Sequence, residues 1–570
     1  MPGYSGKHPE CMEKFADICQ HLMKILKIFF AILCYAGSYS QIPDPFRKVD
    51  SILQTFEAPG APGLSIGILS GGKLVYSRGI GLADIDKGTR NYASSVFGIA
   101  SVTKQFTAGC VWRLVKDGKI SLEDDIRTYI PELPSYGKPM LIRHLLNHTN
   151  GLRNYHALFD LAGFDYDSEF HDNQTILELA CRQQALNNSP GEKVIYGNTG
   201  YTLLAIAIER ITGQDLAAYA KSHLFGPLGM HHTYYRIGTN PPVANAALGY
   251  IQHKDGRFEH LAVNQNTYGA GSAVSSVEDL AVWSNILNGL NPDYSDLTKF
   301  LTTVEKLPSG ETAKYARGVM VDAYKGMPTV HHSGYGLGGQ SQIIAVPQLN
   351  LAVVIVTNLQ SIDPTPLSYK ILDLFLPAGQ NTSDPAVGFS YDKRDLIKFT
   401  GQYKEQYSDM KLEIIIENDT LKAVGRQGGK PIALTAAKKG TFTRSNNAQV
   451  LYEFSSEKNP AVDLIVYFGG APFYFSRAQF SNPEDVTPSD YAGRFFSEEL
   501  SVTYDIYNDK GDLLLNYPNH HGIKLVPGQT DEFGNGQRVL YHFERNRNKQ
   551  VVALLVSAEG TVKNIRFIKK

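Results

Sequence analysis

Cysteine is scarce in this chain: five in 570 residues, and three of them (Cys11, Cys19, Cys34) precede residue 41. The two that remain, Cys110 and Cys181, lie in apolar helical patterns, which excludes a disulfide framework and reads as inert buried thiols. Tryptophan is scarcer still, with two residues against 32 tyrosines and 27 phenylalanines, a balance suited to aromatic-rich strands and pocket walls. Excess charge is absent too. A formal net charge of -1 gives no electrostatic ground for binding nucleic acid. Long apolar runs are missing: Ile28–Gly37 is too short for a comfortable membrane span.

That run does fit a targeting signal. Met23-Lys24-Ile25-Leu26-Lys27 supplies a basic start, and Ser38 and Ser40 supply small residues before a mature start at Gln41. The leader is therefore expected over 1–40, with the signal at about 23–40, giving a periplasmic or secreted protein without a stable membrane span after cleavage. An N-terminal anchor helix is the alternative; lipidation at Cys34 is disfavoured by bulky Leu33.

A chain of this length predicts two to four domains. Leu64–Leu69 and Lys73–Gly79 form a hairpin about Gly71-Gly72, and helical patterns dominate from Ser101 to about 225. Ser276 is a candidate N-cap with Asp279 at the third helical position. Strand patterns return at Ala316–Val321, Thr329–His332, Gln342–Val346 and Leu351–Thr357. The early hairpin should join these late strands in one antiparallel sheet flanked by helices, an α/β domain over 48–376. Residues 377–390 read as a linker by composition. Beyond it short alternating strands repeat: Phe399-Thr400-Gly401-Gln402-Tyr403 matches Tyr491-Ala492-Gly493-Arg494-Phe495, and Val450–Phe454 matches Val539–Phe543. Two all-β copies, 391–480 and 487–570, fit small closed barrels, because closure removes exposed edges.

Chemistry is concentrated in three stretches. In Phe97–Ala108, Ser101 and Lys104 stand three apart at the mouth of a helix and share a face. The N–H groups and dipole at a helix start favour a serine anion, and the lysine lies close enough to take its proton. Ser70…Lys73 and Ser455…Lys458 share the spacing, but the first reads as a hairpin turn and the second lies among polar turn residues. Only Ser101 is followed by apolar residues at helical spacing (Phe106, Cys110, Val111, Leu114, Val115). A capping serine beside a surface lysine has the same pattern.

The second stretch is Tyr196-Gly197-Asn198, in a turn before a helix; Tyr517-Pro518-Asn519 repeats its spacing. A phenol with a free pKa of about 10 is a poor base. Beside Lys104 and a second cation its anion would be favoured. A structural turn with a buried tyrosine is the alternative. In the third stretch a strand is expected to end at His332-Ser333-Gly334 and enter a glycine-rich bend at Tyr335–Gly339. Glycine permits close approach of backbone, and a strand-end N–H can join that of Ser101 as an oxyanion donor. His331 and His332 face opposite ways and no third ligand completes a set, so neither metal nor cofactor is expected.

In that order the three stretches resemble the motifs of serine β-lactamase-related hydrolases, in the class C β-lactamase, esterase and D-aminopeptidase branch. His144–Leu152, Leu224–Met230 and Gly271–Leu280 look like further landmarks of the family, extending the resemblance over roughly 50–360. The C-terminal repeats resemble lipocalin-like barrels appended to some D-aminopeptidases. The resemblance implies a β-lactamase/penicillin-binding-protein-like fold and an acyl-enzyme mechanism on a small-molecule or peptide substrate. Ser101 would be the nucleophile, with Tyr196 and Lys104 accepting its proton. Asn198 would orient the substrate or Lys104, His332 would tune Tyr196 and contact the substrate, and Ser333, Gly334 and Tyr335 would complete the substrate and oxyanion site. His332 stands where true β-lactamases often carry lysine, and Asn150 replaces the usual serine of His-Thr-Ser-Gly-Leu. A histidine that loses its charge near neutral pH grips a carboxylate weakly, which points to esters or D-amino-acid amides ahead of penicillins. A β-lactamase or D-Ala-D-Ala carboxypeptidase is the first alternative, and a non-catalytic binding protein of the same fold the second. The repeats' role and the oligomeric state are not written in the motifs.

Overall fold

The computed structural model describes residues 45–238, 243–262, 264–310, 312–377, 391–425, 429–454, 462–468, 471–478 and 486–570. The expected leader, the linker beyond residue 377 and Ser455…Lys458 lie outside them. The described residues divide into two units, the first holding the helix Pro45–Leu53 and the second everything from residue 56 onward. Among the described residues no helix is long and apolar enough to cross a membrane.

The second unit is built on a six-stranded antiparallel sheet: β1 (Leu64–Ser70), β2 (Lys73–Ile80), β3 (Met320–Tyr324), β4 (Met327–Gly336), β5 (Gly339–Val346) and β6 (Leu351–Thr357), in the order β3-β4-β5-β6-β1-β2. In β6 all seven residues are buried and in β1 all but Ser70, as expected of central strands covered on both faces. Edge strand β2 instead alternates exposed and half-buried positions. Ile66 pairs with Ile355 and His332 with Ile343, so the late strands carry the third motif into register with the early hairpin.

Two details depart from the expected strands. The strand placed at Ala316–Val321 begins only at Met320, because Gly318 (φ +82°) folds the preceding segment against the Lys104 carbonyl, where a Cβ would lie 2.8 Å from that oxygen. Strand β4 does not end at Gly334 but runs through Gly336, and the bend falls at Leu337-Gly338.

Helix α1 (Lys104–Lys116) runs through the helical layer with ten of its thirteen residues buried. Phe106 packs edge-on to Phe225 and to Trp283, with ring centroids 5.1 and 4.8 Å away. Around α1 lie α2 (Tyr155–Ala162), α3 (Asn173–Cys181), α4 (Thr199–Thr212) and α5 (Val277–Leu287), the last capped by Ser276 Oγ, which accepts from Asp279 N at 3.1 Å. Cys110 is buried as expected; Cys181 is only half-buried.

Two closed eight-stranded barrels follow, from Gly401–Glu405 to Ala471–Arg477 and from Gly493–Ser497 to Val562–Lys569. The repeated Gly-x-aromatic opening has a physical reason. Gly401 (φ +141°) and Gly493 (φ +152°) begin the first strands in a conformation that disfavours side chains, and two residues later Tyr403 and Phe495 are fully buried in the barrel cores. The second barrel's core is continuous with Tyr155, Leu158, Phe159 and Leu161 of α2, so that barrel is fused to the α/β domain. Tyr517-Pro518-Asn519 is its docking turn: Asn519 Nδ2 donates to the Gly163 carbonyl at 2.8 Å.

Phe106→Ala should cost about 3–5 kcal/mol of stability, read by denaturant unfolding, because it empties a fully packed aromatic site.

Candidate active site

Ser101 sits where an extended segment turns into α1. Ala100 adopts φ +45°, rare for a residue with a Cβ, and the short 3-10 turn Ala100–Thr103 leads into the helix. The turn is fixed from two sides: Ser341 Oγ donates to the Ile99 carbonyl at 2.7 Å, and Ile99 N donates to the Ala273 carbonyl at 3.1 Å. Strand β4 closes on it edgewise. A Cβ on Gly334 would stand 2.3 Å from the Ile99 oxygen and 3.1 Å from Ser101 N, so only glycine fits. Pairing with β3 stops at His331, leaving the edge of β4 from His332 onward facing the Ser101 turn.

Lys104 is fully buried and its amine has three neighbours: Asn198 Oδ1 at 2.7 Å, the Ala270 carbonyl at 2.9 Å and Ser101 Oγ at 3.1 Å. All three are uncharged, and burial holds its pKa well below that of an ordinary lysine. A neutral amine has two N–H bonds and one lone pair. The two carbonyl-type oxygens can only accept, so in the neutral form they would take both N–H bonds and the lone pair would face the Ser101 hydroxyl. Tyr196 lies 4.9 Å from the same nitrogen by ring centroid, with Ser101 near enough to its phenol to favour the anion slightly against burial.

The phenolate expected of Tyr196 finds no support here. Burial pushes the phenol's pKa up, and His332 supplies no second cation to oppose this, because burial holds it down to about 3. The ring of His332 is 6.2 Å from that of Tyr196. Its nitrogens are spent elsewhere: Nδ1 donates to the Ser333 carbonyl at 2.5 Å and Nε2 accepts from the Tyr315 hydroxyl at 2.9 Å. Strand alternation puts His332 and Gly334 on the Ser101 side and the side chains of Ser333 and Tyr335 on the other, where Gln360 Nε2 donates to the Tyr335 hydroxyl at 3.1 Å. Ser333 and Tyr335 can therefore serve the Ser101 side through backbone alone. Asn198 is turned to Lys104; Asn198 N donates to Asn154 Oδ1 and its Nδ2 to His156 Nδ1, both at 3.0 Å.

Several members of the site carry no motif of their own. Ala270 contributes a backbone carbonyl, Asn154 and His156 hold Asn198, and Tyr315 holds His332. His148 lies within the His144–Leu152 landmark and is fully buried between the rings of Tyr196 and Tyr315, at 4.4 and 4.3 Å, with burial holding it neutral. The glycines of Tyr268-Gly269-Ala270-Gly271 were the one local signal for Ala270: Gly269 (φ +96°) lets that loop pass against the Tyr201 carbonyl. Asn150 proves to be a turn former, its Oδ1 accepting from Leu152 N at 2.8 Å.

Comparison with known proteins identifies the family and the fold of this domain. The model of the family described as Beta-lactamase matches residues 49–373. Protein flp of Staphylococcus aureus (strain N315) is 28% identical over 330 residues, which is 56% of this chain and 64% of flp. The D-aminopeptidase of Gluconobacter oxydans (strain 621H) is 25% identical over 300 residues, 53% of this chain and 56% of that enzyme. The chain thus spans less than two thirds of the length of these curated relatives. Among solved structures, the octameric penicillin-binding protein homologue from Pyrococcus abyssi shares the fold at TM-score 0.53 and 23% identity, covering 83% of this chain and 98% of its own.

Gly334→Ala should displace the Ser101 turn and cut the rate of phosphonate labelling at Ser101 by at least a hundredfold while the protein stays folded; an unchanged rate would show that β4 does not set this turn.

Proposed function

Because the chain belongs to the β-lactamase family, whose members include serine hydrolases of this fold, we propose that it is a serine hydrolase that opens an ester or a D-amino-acid amide or peptide bond through an acyl-enzyme. The observation that carries this reading is the Lys104 amine, buried, uncharged in its surroundings and aimed at Ser101 Oγ. In acylation Ser101 Oγ bonds to the substrate carbonyl carbon as its proton passes to the Lys104 lone pair. The backbone N–H groups of Ser101 and Tyr335 receive the oxyanion; losing one such donor typically costs about a hundred- to a thousandfold in rate. Collapse expels the leaving group, which takes the proton from Lys104 through the Tyr196 phenol. Water then repeats the sequence on the acyl-serine and restores the Ser101 hydroxyl.

His332, neutral and with both nitrogens engaged, offers no cation for a substrate carboxylate. This favours uncharged esters and amides over penicillins. Retention of Ser101 and Lys104 in a hydrogen bond, with the Tyr196 ring beside the amine, argues against a binding protein without catalysis. Export is proposed from residues 23–40 alone.

Ser101→Ala should abolish turnover of p-nitrophenyl esters and D-amino acid amides; retained turnover would remove Ser101 from the reaction. In the intact protein kcat/KM should rise with pH as Lys104 loses its proton, with a midpoint well below that of a free lysine at about 10.4, since the folded-state pKa is depressed and the basic form is the active one. A limb near the free value would contradict a neutral-amine base. Nitrocefin turnover faster than ester turnover would shift the substrate class to β-lactams.

A further inference from the structure

The segment Arg153–His156 has two sides with different owners. On one side it grips the second barrel. The Arg153 guanidinium, 2% exposed, ion-pairs with Glu499 through Nη1 at 2.5 Å, and its Nε and Nη2 donate to the Lys563 carbonyl at 3.0 and 2.6 Å. Glu499, itself 4% exposed, also accepts from Gln184 N at 2.9 Å. Asn154 N donates to the Thr561 carbonyl at 3.3 Å, and Asn187 bonds Thr561 O and Lys563 N at 2.7 and 2.8 Å.

On its other side the same segment holds the start of α4. Thr199 Oγ1 donates to the Arg153 carbonyl at 2.7 Å and accepts from Tyr155 N at 3.0 Å. Asn154 Oδ1 and His156 Nδ1 take the two N–H groups of Asn198 described above. The second of these matters for chemistry. With Nδ1 of His156 accepting from the Asn198 amide nitrogen, the amide oxygen is left to Lys104.

We propose that the second barrel is a structural part of the active site: through Glu499 and Arg153 it fixes the Arg153–His156 strap, which fixes Asn198 and thereby aims Lys104 at Ser101. Glu499, Arg153, Asn154 and His156 are positioning residues; none touches Ser101. The buried Arg153–Glu499 pair ties the barrel to the neighbouring domain. Removing it would leave a guanidinium enclosed without its carboxylate, at the one strap that carries Asn198. Misplacement of a catalytic group by about 1 Å costs on the order of a hundredfold in rate.

This inference rests on the serine-hydrolase reading, and the experiment separates the two. The full chain and three variants, Glu499→Gln, Asn154→Ala and Tyr504→Phe, are labelled with a fluorescent phosphonate across a pH series, far below each melting point. Tyr504→Phe is the control: it removes another barrel contact, Tyr504 hydroxyl to the Leu161 carbonyl at 2.7 Å, that does not lead to Asn198. Asn154→Ala leaves the ion pair in place and carries the test should Glu499→Gln fail to fold. The expected result is labelling slowed about ten- to a hundredfold in Glu499→Gln and Asn154→Ala, with a displaced pH midpoint, and within about twofold of the intact protein in Tyr504→Phe. Equal rates and midpoints in all four proteins, or equal losses in all three variants, would overturn the positioning role. No labelling of the unmodified chain would instead overturn the hydrolase reading.

Discussion

The site depends on one amine kept out of water. Lys104 is enclosed without a carboxylate, so its environment penalises the ammonium form and offers the free amine two acceptors in fixed places. Burial of that kind costs stability, and it persists because the surrounding structure over-determines it. Each acceptor is itself anchored. The Ala270 carbonyl follows the Gly269 turn, whose carbonyl accepts from Thr107 Oγ1 of α1 at 2.6 Å, and Asn198 is locked by Asn154 and His156. The proposed base would need no second charge, so the neutral state of His332 and His148 is compatible with it and no phenolate is required.

A second constraint is backbone against backbone. Ala100 in a left-handed conformation and Gly334 without a side chain allow the Ser101 turn and the edge of β4 to meet closely. The sheet delivers this because β4 outruns its partner β3 by several residues, so the same strand is paired at one end and open at the other. The barrels bear on the site from outside. The first touches the segment before Tyr196, where Lys193 Nζ donates to the Tyr407 hydroxyl at 2.6 Å and the Tyr474 hydroxyl to the Val194 carbonyl at 3.2 Å. The second shares its core with α2.

Much of this was legible in the residues. Apolar spacing after Ser101 separated it from Ser70 and Ser455, the turn before α4 exposed Tyr196 and Asn198, and the Gly-x-aromatic repeat announced two barrels. The strand expected to end at His332-Ser333-Gly334 instead runs on through Gly336, and the bend expected over Tyr335–Gly339 falls at Leu337-Gly338, because strand pairing with β5 continues to Gly336. What stayed hidden was tertiary. Tyr315, Ala270 and His156 act through contacts with residues 17, 166 and 42 positions away, and residues of their type occur throughout the chain. The Arg153–Glu499 pair joins positions 346 apart, and no local pattern marks either member.

The most direct test of the central claim is the titration of the Lys104 side chain itself, followed by carbon-13 shifts of isotopically labelled lysine and assigned by its loss in Lys104→Arg. The account predicts that this one resonance changes well below the range of ordinary lysines, with the amine neutral while the surface lysines remain charged. A Lys104 signal that titrates with the surface lysines near about 10.4 would contradict it.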